Sequence, residues 1–175
     1  HNVHNALAAV AAAQLLGMDE QGIADGLLKY TTDRLRMSIL ECNGIKVIND
    51  SYNAAPSSIK AALDVLCEIG AGKRKWAVLG DMLELGEWSR QAHEEIGSTI
   101  AALGIDYLVG IGTLSSGYIA GARAHPKSKT VTILFSNIEE AGAYIRALMQ
   151  KDDVMLFKGS RMMRLDALVK KLFES

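Results

Sequence analysis

The chain has 175 residues, 49% of them hydrophobic and 22% charged, with a formal net charge of −1. That suffices for one well-cored domain, or for a domain with a small appendage. Near-neutral charge and 6% aromatic residues argue against a polyanion-binding or base-stacking surface, so nucleic acid is not an expected partner.

The chain opens His1-Asn2, without a start methionine and inside what reads as a helix N-terminus, which suggests a piece of a longer protein. Asn5 is a candidate cap for a helix over 6–16, with Gly17 as its left-handed stop. Asp19 caps a second helix to about residue 30. Thr31-Thr32-Asp33 reads as a linker and a candidate hinge. From Arg36 the rhythm turns to β. Met37, Ile39 and Glu41 alternate with their neighbours, Asn43-Gly44 is a strong two-residue hairpin turn, and 45–48 return as the second strand. Strands over 76–79, 107–109, 131–134 and 154–157 then interleave with helices over about 58–69, 89–103, 114–124, 139–150 and 161–173. Ile59, Ala62, Leu63 and Leu66 share one helical face, as do Leu165, Leu168, Val169 and Leu172. This alternation predicts an α/β fold: a mostly parallel sheet of about six strands, one antiparallel edge strand, and helices on both faces. The boundary falls at the linker, with a short helical segment over 1–32 and the α/β domain over 33–175. No apolar run approaches the length of a membrane span, and no signal-peptide pattern opens the chain. Cys42 and Cys67 lack metal-type spacing and read as two buried free thiols in a reducing, cytoplasmic setting.

In a parallel sheet the polar tails of the strands gather on one rim, where ligands bind. The richest tail is Asn49-Asp50-Ser51-Tyr52-Asn53-Ala54-Ala55-Pro56-Ser57-Ser58. Taken alone it also fits a plain polar loop with Ser57 as a helix cap. The other tails are Gly80–Gly86, 110–113, 136–137 and Lys158-Gly159-Ser160-Arg161. Lys158, Ser160 and Arg161 at a helix N-terminus make a candidate anion site, since a guanidinium grips a carboxylate or phosphate through two hydrogen bonds. Against that stands the reading of two surface charges and a cap. Gly110-Ile111-Gly112 lacks the third glycine of a dinucleotide fingerprint, and no GxxxxGK[ST] phosphate loop occurs in the chain. His93 has no partner at metal-ligand spacing and reads as a structural, hydrogen-bonding histidine. Asp81 and Glu84 read as a cap plus a solvated charge. The spatial expectation is that the Asp50 carboxylate and the Arg161 guanidinium turn toward one shared cleft.

Taken together, these motifs resemble those of the Mur ligases, the ATP-dependent amide ligases of peptidoglycan synthesis. His1-Asn2-Val3-His4-Asn5-Ala6-Leu7-Ala8-Ala9 is similar to their HNxxNALAA element. Asn49–Pro56, Leu79-Gly80-Asp81-Met82-Leu83-Glu84-Leu85-Gly86 followed by His93, and Lys158–Arg161 resemble the member that joins D-alanyl-D-alanine to a UDP-linked tripeptide. The resemblance implies a Rossmann-like third domain, over 33–175, preceded by the last helices of a central ATP-binding domain, over 1–32. It implies ATP and Mg2+ as cofactors, with the magnesium ligands in a central domain upstream and no metal site here. It also implies UDP-N-acetylmuramoyl-tripeptide and D-alanyl-D-alanine as substrates, joined through an acyl phosphate. By motif, Asn2 and Asn5 match the asparagines that face adenine. Arg36, with Arg34 as a competitor, matches the arginine near the nucleotide, and Asp50 matches the residue that binds the ribose hydroxyls. Tyr52, Asn53 and Ser58 would border the phosphate end and the incoming amine. Lys158, Ser160 and Arg161 would hold the dipeptide carboxylate. The run Met162-Met163-Arg164-Leu165-Asp166 departs from the family pattern. Two other readings compete: a stand-alone nucleotide- or flavin-binding module, and a folylpolyglutamate-synthase-like ligase. Tyr52-Asn53-Ala54 and the Gly-Asp-Met run argue against the second.

Overall fold

Strand side chains point alternately to the two faces of a sheet, so a strand covered on both sides is apolar throughout. The run Lys75–Gly80 (β3) behaves this way: Ala77 and Leu79 enter one core, Trp76 and Val78 the other. Val154–Lys158 (β6) does the same, with Leu156 on one face and Met155 and Phe157 on the other. The computed structural model describes residues 2–29 and 35–174, with the backbone alone for Asn2 and His4. The linker Thr31–Asp33 and Arg34 lie outside the described residues.

The described chain divides into two units, 1–32 and 33–175. In the first, Asn2–Leu15 (α1) and Glu20–Leu28 (α2) are helical. Gly17 stops α1 at φ 80°, and the Asp19 carboxylate caps α2 by accepting from the Gly22 N–H at 2.7 Å. The α1 helix begins at Asn2, so Asn5 sits inside it rather than capping it. Leu15, Leu16 and Leu28 are each more than 80% exposed.

In the second unit, Ser38–Cys42 (β1) and Ile45–Asp50 (β2) form the antiparallel hairpin, with Asn43 and Gly44 both at positive φ as the tight turn demands. Tyr107–Ile111 (β4) and Val131–Phe135 (β5) complete a six-stranded sheet, ordered β1-β2-β6-β3-β4-β5 and parallel except for β1. One face is covered by Pro56–Ile69 (α3), Ser89–Ala102 (α4) and Ser116–Ala124 (α5), through Ile59, Leu63, Ile96, Ile100 and Tyr118. The other is covered by Ile138–Leu148 (α6) and Leu165–Phe173 (α7), through Ile145, Leu165, Leu168 and Val169. Helices α4 and α5 meet at backbone distance. A Cβ on Gly121 would lie 1.9 Å from the Glu94 carbonyl oxygen, and one on Gly97 would lie 2.0 Å from that of Tyr118.

Three local expectations are corrected. The last helix does not start at Arg161. Arg161–Met163 form a 3-10 turn, and Arg164 at φ 52° separates it from α7. The cap of α3 is Ala55 rather than Ser57. Pro56 opens the helix, and the Ser58 hydroxyl accepts from the Ala55 N–H at 3.0 Å and donates to the Ala55 carbonyl at 2.9 Å. Cys42 and Cys67 are free but only half-buried; the Cys42 thiol donates to the Phe173 carbonyl at 3.2 Å. Among the described residues, no helix is long and apolar enough to cross a membrane.

Candidate functional site

Asp50 ends β2 and Lys158 ends β6. The two strands are neighbours, and these two residues are register partners. The Lys158 ammonium therefore meets the carboxylate, donating to Asp50 Oδ2 at 2.5 Å and to the Asn53 carbonyl at 2.9 Å. Their side chains are only 3% and 13% exposed. A buried ion pair needs further hydrogen bonds around it, and here they are present. The Met37 N–H donates to Asp50 Oδ1 at 3.1 Å, in a backbone turned to φ 50°. The Tyr52 N–H donates to the Leu35 carbonyl at 3.1 Å, and the Arg36 guanidinium lies over the Tyr52 ring, 3.9 Å from its centroid. Residues 35–37 thus clamp the loop that leaves β2. Inside that loop Asn49 Oδ1 accepts from the Ser51 hydroxyl at 2.6 Å, a self-satisfied polar turn.

The tails of β3 and β6 touch through their glycines. A Cβ on Gly159 would lie 3.0 Å from the Gly80 Cα, and one on Gly80 would lie 2.9 Å from the Met163 Cβ. This approach lets the two loops exchange hydrogen bonds: the Ser160 N–H donates to the Asp81 carbonyl at 3.0 Å, and the Leu83 N–H donates to Ser160 Oγ at 2.9 Å. The Met82 N–H donates to Nε2 of His93 at 3.1 Å, while His93 Nδ1 lies 2.6 Å from the Ser89 carbonyl. Those partners fix the proton on Nδ1, so His93 is the structural histidine that the sequence suggests. The Asp81 carboxylate accepts from the N–H groups of Leu114 and Ser115 and from the Ser115 hydroxyl, at 2.7–3.2 Å, ahead of α5. It is a cap, as expected. Beneath it the Tyr118 hydroxyl donates to the Gly80 carbonyl at 3.2 Å; burial, with the Asp81 charge nearby, pushes that phenol far above its ordinary value.

Between these loops lies an open cleft of about 240 Å³. Its polar lining is Asn53, Glu84, Ser160 and Arg161, and its apolar lining is Tyr52, Leu83 and Met162. Arg161 is half-exposed, with Nη1 3.2 Å from Asp166 Oδ2. The structure thus brings Tyr52, Asn53, Ser160 and Arg161 together. It does not bring the Asp50 carboxylate into that cleft, because Lys158 stands opposite it on the next strand and holds it back. For the same reason the Lys158 ammonium is spent beneath the cleft, where it ties Asp50 to the Asn53 backbone, and is not presented to a ligand. Ser58 lies at the start of α3, its hydroxyl committed to Ala55. Asn2 and Asn5 both fall within α1, with Asn5 exposed. Leu83, Glu84 and Met162 were not expected at the cleft. The only sequence signal for Glu84 was its place in a glycine-bounded loop between a strand and a helix. Among the described residues, no group of three or more His, Cys, Asp or Glu side chains is arranged to hold a metal ion.

Fold and rim together define a doubly wound α/β domain that carries a small cleft, lined by charged and polar side chains, at the carboxyl ends of its parallel strands. The particular family is given by comparison. Residues 35–161 match the Mur ligase, glutamate ligase domain, and the chain belongs to that family. It is similar to the UDP-N-acetylmuramoyl-tripeptide–D-alanyl-D-alanine ligase of Bacillus subtilis, with 36% identity over 100% of this chain and 38% of that protein. The ligase of the same name from a Synechocystis species is 33% identical over 98% of this chain and 37% of its own length. Among solved structures, MurF from Acinetobacter baumannii superposes over 100% of this chain and 38% of its own, with a TM-score of 0.85 and 35% identity. MurF from Thermotoga maritima in complex with ADP covers 93% of this chain and 35% of its own, with a TM-score of 0.70 and 25% identity. A folylpolyglutamate synthase from Thermotoga maritima, 17% identical with a TM-score of 0.55, shares the fold alone. The chain therefore spans little more than a third of the length of these curated relatives.

Proposed function

We propose that this chain is the carboxyl-terminal part of an ATP-dependent ligase that joins D-alanyl-D-alanine to UDP-N-acetylmuramoyl-tripeptide in cell-wall synthesis. Residues 1–32 are then the terminal helices of the central ATP-binding domain, and 33–175 the domain that receives the dipeptide. One observation carries the reading: a chain alignable over its whole length with ligases of that name has, at its sheet rim, a small cleft holding an arginine and a buried serine.

Arg161 receives the dipeptide carboxylate. Its contact with Asp166 engages Nη1 and leaves other N–H donors of the guanidinium for a ligand. Ser160 accepts from Leu83 and retains its own O–H to donate. Tyr52 and Asn53 form the wall toward the reacting end. Lys158 acts beneath, by fixing the Asn53 carbonyl and Asp50.

The residues also fit a nucleotide. Asp50 keeps a free lone pair on each carboxylate oxygen after Lys158 and Met37 are served, as acceptance from vicinal ribose hydroxyls requires. Arg36, in the segment that leads into β1, is braced on Tyr52 of the loop that leaves β2. Asn2 and Asn5 are assigned to adenine by motif. ATP supplies activation of the tripeptide carboxylate, and Mg2+ is assigned to side chains of the central domain. This domain's own work is to bind and orient the amine substrate and to exclude water from a hydrolysable intermediate. The cytoplasm is the proposed compartment.

The test is product analysis with the full-length protein that contains this chain. Phosphate release and a mass increase equal to the added dipeptide, dependent on both substrates, are expected; glutamate as the preferred amine would overturn the assignment. The isolated 175-residue chain is expected to show no turnover.

A further inference from the structure

We propose that the rim cleft is built for a small zwitterion and that Glu84 is the docking group for its amine end. This rests on the proposed function and adds the residue that receives the nucleophilic end of the incoming dipeptide.

The cleft carries one cation, Arg161, and one carboxylate, Glu84. A ligand with a carboxylate alone would gain nothing from Glu84 and would be repelled by it. A ligand with both termini free satisfies both groups. Among the described residues, Glu84 forms no hydrogen bond or ion pair, whereas Asp50, Asp81 and Asp166 around the same rim are all paired. The backbone that leads into it is held firmly. The carbonyl of Asp81 and the N–H groups of Met82 and Leu83 are each tied down just before it. Glu84 itself sits at φ 65°, a conformation that favours glycine. The Glu84 carboxylate is exposed in the cleft lining and unpaired, on a backbone conformation of the kind that gathers at ligand clamps.

Size and lining agree. The volume of about 240 Å³ falls below the roughly 300–1,000 Å³ of pockets for drug-sized ligands. Leu83 and Met162 provide apolar surface suited to methyl groups. The ligand class is a short peptide of small residues with free amino and carboxyl ends.

The experiment uses the full-length protein that contains this chain. Steady-state rates are measured for wild type, Glu84→Gln and Glu84→Asp, with D-alanyl-D-alanine as substrate and N-acetyl-D-alanyl-D-alanine as competitor. Losing a charge-assisted contact of this kind raises the dipeptide KM about 10-fold in Glu84→Gln, with the KM for ATP unchanged. Wild type rejects the acetylated competitor; Glu84→Gln no longer distinguishes it from the dipeptide; Glu84→Asp recovers part of the discrimination. An unchanged dipeptide KM in Glu84→Gln, with the acetylated competitor still rejected, overturns the inference and leaves the ligase assignment standing. Wild-type protein that ligates some other amine and ignores D-alanyl-D-alanine overturns the assignment and the inference with it.

Discussion

Replacing Lys158 with methionine removes the ammonium that lies between Asp50 and Asn53. The Asp50 carboxylate is then left 13% exposed with the Met37 N–H as its remaining donor. Breaking a buried pair by deleting one partner costs about 3–5 kcal/mol, because the other charge stays buried without compensation. The surviving Met37 bond puts Lys158→Met at the lower end, about 3 kcal/mol. Asp50→Asn leaves the ammonium at 3% exposure with neutral carbonyl acceptors and no counter-charge, which belongs at the upper end, about 5 kcal/mol. The double variant buries no net charge and recovers much of the loss, giving a coupling of at least ~2 kcal/mol. The assay is urea unfolding of the 175-residue chain, followed by fluorescence of Trp76, which is fully buried in the sheet core. With a slope of about 2 kcal/mol per molar, the Lys158→Met midpoint falls by roughly 1.5 M. A loss below about 1 kcal/mol, or a double variant equal to the sum of the singles, would refute the claim that this pair is an enclosed strut.

Other perturbations have equally definite outcomes. Gly121→Ala drives a methyl into the Glu94 carbonyl oxygen, 1.9 Å from the new Cβ; backbone atoms cannot give way, so a loss of about 3 kcal/mol or more is expected in the same urea assay. Asp81→Asn turns an amide N–H toward donors that now face a carboxylate, costing about 2–3 kcal/mol, with lost helicity over 114–124 read by hydrogen exchange. The Tyr118 phenol is raised in the folded state by burial, then by Asp81. The folded protein therefore keeps a proton that the unfolded chain gives up, and stability present below the unfolded value of about 10 is lost above it. Wild type should lose about 1.4 kcal/mol per pH unit above pH 10 from this group, and Tyr118→Phe should remove that component of the slope. Burial also raises the Cys67 thiol, ahead of the opposing charge of Lys75; alkylation by iodoacetamide at pH 8 should be slower at Cys67 in the native chain than after unfolding.

The fold was legible because its signals are local. Asn43-Gly44 can adopt the turn that a tight hairpin demands, and the apolar runs at 76–79 and 154–157 suit strands covered on both faces. The end of the chain was read less well. Arg164 breaks the last helix with a left-handed backbone that no glycine or proline announces. The site divides along the same line. That Asp50 and Lys158 end strands on one rim follows from βα alternation. That they face each other follows from β6 inserting beside β2, and strand order is set by long-range packing that alternation does not encode. Once adjacent in register, the two charges pair, which removes Asp50 from the cleft where Arg161 remains. Glu84 was read as a solvated charge because a loop glutamate has no local signature; its place follows from the Met82 and Leu83 N–H groups just before it, which donate to His93 and Ser160.

The central claim, that this rim holds the carboxyl end of the dipeptide through Arg161, is tested most directly by saturation kinetics of Arg161→Gln in the full-length protein. The measurement compares D-alanyl-D-alanine with its carboxyl-terminal amide. The account predicts a dipeptide KM raised about 10-fold or more, an unchanged KM for ATP, and loss of the wild-type preference for the free acid over the amide. A variant that keeps both its dipeptide KM and that preference would contradict it.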